Sequence, residues 1–140
     1  MSSFVIDASV VIKWVVDEAG TAQALLLRRH RLLAPDLLSA DCACVLSKKV
    51  RRKELLEEEA LVATGLLARS NIEFEPMIGV FEAAVRIAIL LDHPAYDCCY
   101  LALAEAQGCV FVTADVALVG KCRAGGLPVG VAGLGEMGLG

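Results

Sequence analysis

Short apolar runs alternate with helix-period segments along the whole chain, and this alternation restricts the fold more than any other feature. Phe4-Val5-Ile6, Leu32-Leu33-Ala34, Ile72-Glu73-Phe74-Glu75, Val110-Phe111-Val112 and the stretch from Val129 to Ala132 read as strands. Helices are predicted over 21–30, 37–52, 57–69, 80–91, 97–107 and 115–123. Thr21 is expected to cap the first of these. Gly108 stops the fifth and Gly125-Gly126 the last. Glu57-Glu58-Glu59 open the third and Arg69 closes it, as the helix dipole prefers. Residues 9–16 are β-branched, yet Ser9 can cap a short helix there. Strands alternating with helices imply an α/β fold with a mainly parallel sheet. A hydrophobic content of 57% suits a sheet covered on both faces, with surplus for a subunit interface. With 140 residues, a single domain over 1–133 is expected, followed by a loose Gly-rich tail, 134–140.

Four aspartates stand at the ends of these elements. Asp7 closes the first strand, Asp41 lies early in the 37–52 helix, Asp97 opens the 97–107 helix, and Asp115 follows Val110-Phe111-Val112 and Thr113-Ala114. A carboxylate is costly to bury unless it is paired or holds a cation. In open α/β sheets, ligands bind outside the carboxyl ends of the strands. Four acids facing one such crevice suggest a divalent-metal pocket. Mg²⁺ takes one or two carboxylates and keeps several waters or substrate phosphates, and a cation there relieves the mutual repulsion of the acids. Bound metal can activate a water and stabilise the leaving oxygen of a phosphodiester. Other hydrolytic machinery is absent from the sequence: there is no G-x-S-x-G and no P-loop, and the two histidines, His30 and His93, sit beside a basic block and before a proline.

Charge and cysteine content add exclusions. A net charge of −4 gives no global field that attracts nucleic acid. The cations are clustered, however, in Arg28-Arg29-His30-Arg31 and in Lys48, Lys49, Arg51, Arg52 and Lys53. Each block ends a helix, where cations complement the dipole, and each is also placed to meet phosphate or an acidic partner. The six cysteines match no C-x-x-C metal or redox spacing and read as small buried hydrophobes. No apolar run reaches the roughly 18 residues of a membrane span. The Met-Ser-Ser-Phe start lacks the basic region of a signal peptide, so a cytoplasmic protein is expected.

The strings around the acids resemble a family. Phe4-Val5-Ile6-Asp7-Ala8-Ser9-Val10-Val11-Ile12-Lys13-Trp14, then Ala34-Pro35-Asp36-Leu37-Leu38-Ser39-Ala40-Asp41, then His93-Pro94-Ala95-Tyr96-Asp97 with Leu101-Ala102-Leu103-Ala104-Glu105, and finally Val112-Thr113-Ala114-Asp115, are similar in content and order to PIN-domain ribonucleases of the VapC toxin type. The resemblance implies a PIN-like, three-layer α/β/α sandwich and an Mg²⁺- or Mn²⁺-dependent endoribonuclease acting on RNA. It also implies a homodimer and a cognate antitoxin that covers the site. By position, Asp7 and Asp97 would be the main metal ligands, Asp41 the second acid and Asp115 the fourth, with Ser9 and Thr113 orienting carboxylates or metal-bound water.

Two positions depart from the pattern. Asp41 stands where the family usually has Glu, one methylene longer, and Cys44 stands where it usually has Asn. Residues i and i+3 share a helix face, so Cys44 is expected beside Asp41 without the polar contact that would orient it. Lys48, at i+7, falls on the same face and could reach a substrate phosphate. Cys42 and Cys98 should point roughly 100° away from their neighbouring acids, into the core. The departures keep a second reading open, a catalytically weak or inactive PIN-like module that binds RNA or protein. A phosphoacceptor receiver domain is disfavoured, because such a domain needs an acidic pair after the first strand and Asp7 is followed by Ala8-Ser9.

Overall fold

The computed structural model describes residues 2–138. Five strands, β1 (Ser3–Ile6), β2 (Arg31–Pro35), β3 (Ile72–Glu75), β4 (Val110–Thr113) and β5 (Val131–Gly133), form one sheet in the order β3-β2-β1-β4-β5. Every pairing is parallel, and β1 lies between β2 and β4 with Ile6 opposite Val112. A strand flanked on both sides and covered on both faces needs apolar side chains throughout. Accordingly Val5, Ile6, Leu33, Phe111 and Val112 are fully buried.

Seven helices connect the strands: α1 (Ala8–Val11), α2 (Thr21–Leu27), α3 (Leu38–Arg51), α4 (Glu57–Ala68), α5 (Phe81–Leu91), α6 (Ala95–Gln107) and α7 (Val116–Ala124). The chain steps outward from β1 through β2 to β3, then returns across the sheet to β4 and continues to β5. Right-handed crossovers therefore put α1–α4 on one face and α5–α7 on the other. The packing agrees, since α3 touches α1 and α4 while α5 pairs with α6. This is the expected α/β fold with a covered parallel sheet. The sheet order reverses between β1 and β4, and that reversal is where an open α/β sheet leaves its crevice. Among the described residues no helix is long and apolar enough to cross a membrane.

Local details depart from the expectations at chain ends and caps. Gly20, at φ 90°, occupies the N-cap of α2, so Thr21 is its first helical residue. The Thr21 hydroxyl instead accepts from the Glu18 N–H at 3.0 Å. Ser9 lies inside α1 and Asp7 takes the N-cap position. The helix predicted to start at Asp97 begins two residues earlier, because Pro94 sits at its N-cap with extended ψ. Gly108 ends it at φ 64°, as the sequence predicts.

The tail is not loose over its described part. Leu134–Glu136 form a 3₁₀ turn and Leu134 is buried in the core. Arg123 grips both oxygens of Glu136 at 2.9 and 2.8 Å, and the Gly133 N–H donates to Glu136 Oε1 at 2.7 Å. These contacts hold the Glu136 carboxyl down to about 2. The turn-rich composition of the segment hid one apolar anchor and one acid with a partner far back in the sequence. Leu139 and Gly140 lie outside the described residues. Leu134→Ala is expected to cost about 2–3 kcal/mol in urea unfolding. Glu136→Ala should change the midpoint little, because exposed ion pairs contribute little.

Candidate active site

Asp7 is the only buried acidic residue among those described, and its carboxylate is held at both oxygens. The Ser9 hydroxyl donates to Oδ1 at 2.5 Å and the Thr113 hydroxyl donates to Oδ2 at 2.6 Å. Both hydroxyl oxygens are themselves fixed: Ser9 Oγ accepts the Ala114 N–H at 2.9 Å, and Thr113 Oγ1 accepts the Asp115 N–H at 3.1 Å. With each hydroxyl proton committed to Asp7, the 3.3 Å approach of Ser9 Oγ to Thr113 Oγ1 is a packing contact. The backbone carbonyl of Asp7 starts α1 by accepting from Val10 and Val11 at 3.1 Å each. The end of β1, the start of α1 and the end of β4 thus meet on one side chain. Burial pushes the Asp7 carboxyl up to about 6, and the charge of Asp97 adds to the rise against the lowering effect of the two hydroxyls.

Asp97 lies in the first turn of α6, half-buried, with Oδ2 at 2.6 Å from His93 Nε2. Asp41, in the first turn of α3, accepts the Tyr100 hydroxyl on Oδ2 at 2.5 Å. The Tyr100 ring is buried and stacks on Phe111 with centroids 5.9 Å apart. Partial burial raises the Asp41 carboxyl, the Tyr100 bond opposes this, and the Asp97 charge raises it further. Burial and the Asp41 charge drive the Tyr100 hydroxyl up in turn. Asp97 therefore bears electrostatically on both Asp7 and Asp41, and these three form the connected part of the cluster.

Asp115 stands apart in role. It is exposed at the N-cap of α7, and its Oδ1 accepts the Leu118 N–H at 3.1 Å. Among the described residues, no three His, Cys, Asp or Glu side chains are grouped closely enough to hold a metal ion by themselves. The donors present are carboxylate oxygens, with Asp97 acting by its charge on buried Asp7. That set suits a hard cation that keeps most of its waters and takes one or two carboxylates.

The neighbourhood of Asp41 follows the helix geometry. Cys42 and Leu46 are buried, whereas Cys44 and Lys48 are exposed on the other face. Lys48 makes no ion pair among the described residues, while Lys49 reaches Glu18 at 3.2 Å. Cys98, Cys99 and Cys122 are buried as well. Burial, reinforced by Asp41 and Asp7, pushes the Cys42 thiol up to about 12, and burial beside Asp97 raises Cys98 to about 11. Thiols held protonated in this way are poor nucleophiles.

The sequence pattern assigns no role to His93 or Tyr100. His93 is four residues before Asp97, a helix-face spacing that Pro94 disguised as a loop. Tyr100 reaches an acid 59 positions away, a partnership no local pattern reveals.

Residues 4–121 match the family model described as the PIN domain. The chain is 32% identical over 114 residues to the ribonuclease VapC9 of Mycobacterium tuberculosis, covering 81% of this chain and 87% of the relative.

The chain belongs to the PIN-domain family, in its VapC branch.

Solved PIN-domain structures carry the same fold at low sequence identity. PAE2754 from Pyrobaculum aerophilum superposes with a TM-score of 0.71 at 20% identity, covering 96% of this chain and 85% of the other. VapBC2 from Rickettsia felis, solved bound to a promoter DNA fragment, gives 0.63 at 12% identity over 94% of this chain and 98% of the other.

The raised Asp7 carboxyl carries a stability cost in the VapC-type fold. Between its unfolded value near 3.8 and about 6, the folded protein binds the extra proton. Stability from this group is therefore highest below pH 4 and falls as pH rises through 6. At about 1.4 kcal/mol per pKa unit, the deficit at neutral pH is on the order of 2–3 kcal/mol. Asp7→Asn should stabilise the metal-free protein by about 1–3 kcal/mol at pH 7.5, with the gain vanishing near pH 4. Urea titrations at the two pH values measure it. Tyr100→Phe removes a bond to a charged acceptor. It should cost about 1–3 kcal/mol and move the Asp41 carboxyl still higher, read by ¹³C-carboxyl NMR titration.

Proposed function

We propose that the protein is a metal-dependent endoribonuclease acting as the toxin of a toxin–antitoxin pair. The observation that carries this reading is the Asp7 carboxylate, buried at the β1/β4 reversal, fixed at both oxygens and placed beside the charge of Asp97. A buried acid raised by a neighbouring acid is unfavourable in the free protein, and a cation in the crevice converts that cost into affinity.

Asp7 and Asp97 are the residues that would hold Mg²⁺ or Mn²⁺, with Asp41 and Asp115 bordering the site. When bound, such a metal activates water for attack on a phosphodiester and offsets charge on the leaving oxygen. Ser9 and Thr113 keep the Asp7 carboxylate in one plane, so its remaining lone pairs keep a fixed direction. Asp41 can accept a proton from a water at the crevice mouth through its oxygen not bonded to Tyr100. Exposed Lys48, two turns along α3 from Asp41, is placed to meet an RNA phosphate.

Two surfaces support assembly. Ile78, Phe81, Val85 and Ile89 form an exposed apolar strip along α5 and the turn before it, which suits the twofold contact of a homodimer. An apolar groove of about 370 Å³ between α3, α4 and β3, lined by Leu38, Cys42, Leu46, Leu67, Ile72 and Phe74, suits an apolar antitoxin segment and begins on the helix that carries Asp41. A toxin held by its antitoxin in the cytoplasm is the corresponding cellular setting.

A second reading, a binding module with little catalytic power, is favoured by one observation, the engagement of Asp41 by Tyr100. Cleavage of single-stranded RNA separates the two. Protein freed from a small co-purifying partner should cleave RNA with Mg²⁺ or Mn²⁺ and lose the activity in EDTA. Asp7→Ala and Asp97→Ala should each lose more than the roughly 10–100-fold that removal of a supporting partner costs. Activity that survives chelation or both substitutions refutes the enzyme reading, and a metal-supplemented wild type without cleavage favours the binding module.

A further inference from the structure

We infer that His93 is a positioning residue for Asp97, with its tautomer set by Lys121; the inference rests on Asp97 being a metal ligand. Three elements meet at this histidine. Its Nε2 lies 2.6 Å from Asp97 Oδ2 and its Nδ1 lies 3.3 Å from Lys121 Nζ. A lysine ammonium has only protons to offer, so Nδ1 must be the acceptor. The ring proton therefore sits on Nε2, where it donates to Asp97.

The histidine is fixed from its backbone side as well. Its N–H donates to the Ala88 carbonyl at 3.1 Å, across the end of α5. The preceding residue, Asp92, is left-handed at φ 49° and ψ 57°, a conformation costly for a residue with a Cβ. Lys121 holds that turn in place, donating to the Asp92 carbonyl at 2.8 Å. One lysine of α7 thus secures both the strained turn between α5 and α6 and the ring that faces Asp97. The His93 side chain is only 16% exposed, so water competes weakly for its bond to Asp97, whereas Lys121 approaches it from the exposed side.

The consequence for the carboxylate is directional. Oδ2 is occupied by the His93 N–H, which leaves Oδ1 and the second lone pair of Oδ2 for the crevice. Asp7 is held by two hydroxyls that rest on backbone amides, and Asp97 is held by an imidazole that rests on an ammonium. Outer partners of this kind orient a ligand without contacting the metal, and their loss typically weakens metal affinity 10–100-fold.

The test uses the full-length chain with Mn²⁺ as probe, followed by electron paramagnetic resonance, and ¹⁵N NMR of the histidine ring in metal-free protein. Wild type should show His93 as the Nε2–H tautomer. His93→Ala should weaken Mn²⁺ binding about 10–100-fold. His93→Gln, whose side-chain amide can donate from a similar distance, should recover most of it, and Lys121→Met should lose the fixed tautomer and weaken Mn²⁺ several-fold. A wild-type Nδ1–H tautomer overturns the inference, as does Mn²⁺ affinity unchanged in His93→Ala. His93→Gln as weak as Ala, with Lys121→Met unchanged, would make His93 a direct ligand and also overturn it. Wild type that binds no Mn²⁺ at all brings down the metal reading of Asp97 itself, which is a different failure from wild-type binding that ignores His93.

Discussion

The hydroxyl cradle around Asp7 is the interaction on which the rest of the site depends. A carboxylate at the end of a central strand is buried on nearly every side, and free energy favours neutralising it. Ser9 and Thr113 supply one proton to each oxygen, yet burial still dominates and the carboxyl stays well above its ordinary range. The cradle therefore lowers the cost of the charge without removing it. What remains is an anion fixed in position, sited where the order of the parallel sheet reverses and where, among the described residues, no side chain offers a counter-charge. The fold tolerates the deficit because β1 and β4 are otherwise apolar and tightly covered, so the stability lost at Asp7 is small beside what the buried strands contribute.

The same logic extends outward in decreasing strictness. Asp97 is half-buried and held by one imidazole, Asp41 is held by one phenol, and Asp115 is exposed and engaged in capping its own helix. Asp7 is the most buried of the four and the one held by side chains at both oxygens. A site that relies on water for much of its coordination does not need its acids in mutual contact. It needs them oriented, and each of the three connected acids has a dedicated donor.

The sheet, the helix order and the element carrying each acid were legible in the sequence because they follow from period and composition. Apolar runs such as Val110-Phe111-Val112 admit one reading once helices flank them, and Gly108 marks a helix end by its left-handed backbone. The misplaced details share a cause. Serine before an apolar run often caps a helix, but Ser9 sits inside α1 and donates to Asp7 two residues behind it, the carboxylate-orienting role that the family resemblance implies. Thr21 lost the cap to Gly20, whose positive φ cannot be inferred from its neighbours. The tail looked loose because glycine dominates its composition, while Leu134 and the Arg123–Glu136 pair act across the fold. Within the site, Asp7, Asp41, Asp97 and Asp115 could be selected by their position at element ends. The donors that orient Asp97 and Asp41 could not: Tyr100 meets Asp41 across α6 and α3, Lys121 of α7 reaches the His93 ring from 28 positions away, and Pro94 masks the four-residue spacing from His93 to Asp97.

Asp41 shows how a shortened side chain alters a site without abolishing its architecture. A glutamate at this position would carry its carboxylate one methylene further into the crevice. The aspartate stops at the wall, where Tyr100 meets it, and a buried phenol next to a half-buried carboxylate is a mutually satisfying pair: the acid gains a donor and the hydroxyl gains an acceptor it would otherwise lack. Stacking on Phe111 holds the ring from below, so the phenol cannot follow the acid outward. Moving Asp41 toward a cation would leave a buried hydroxyl unpaired, at a cost on the order of 1–3 kcal/mol. The Tyr100 hydroxyl thereby ties Asp41 to the core side of α6.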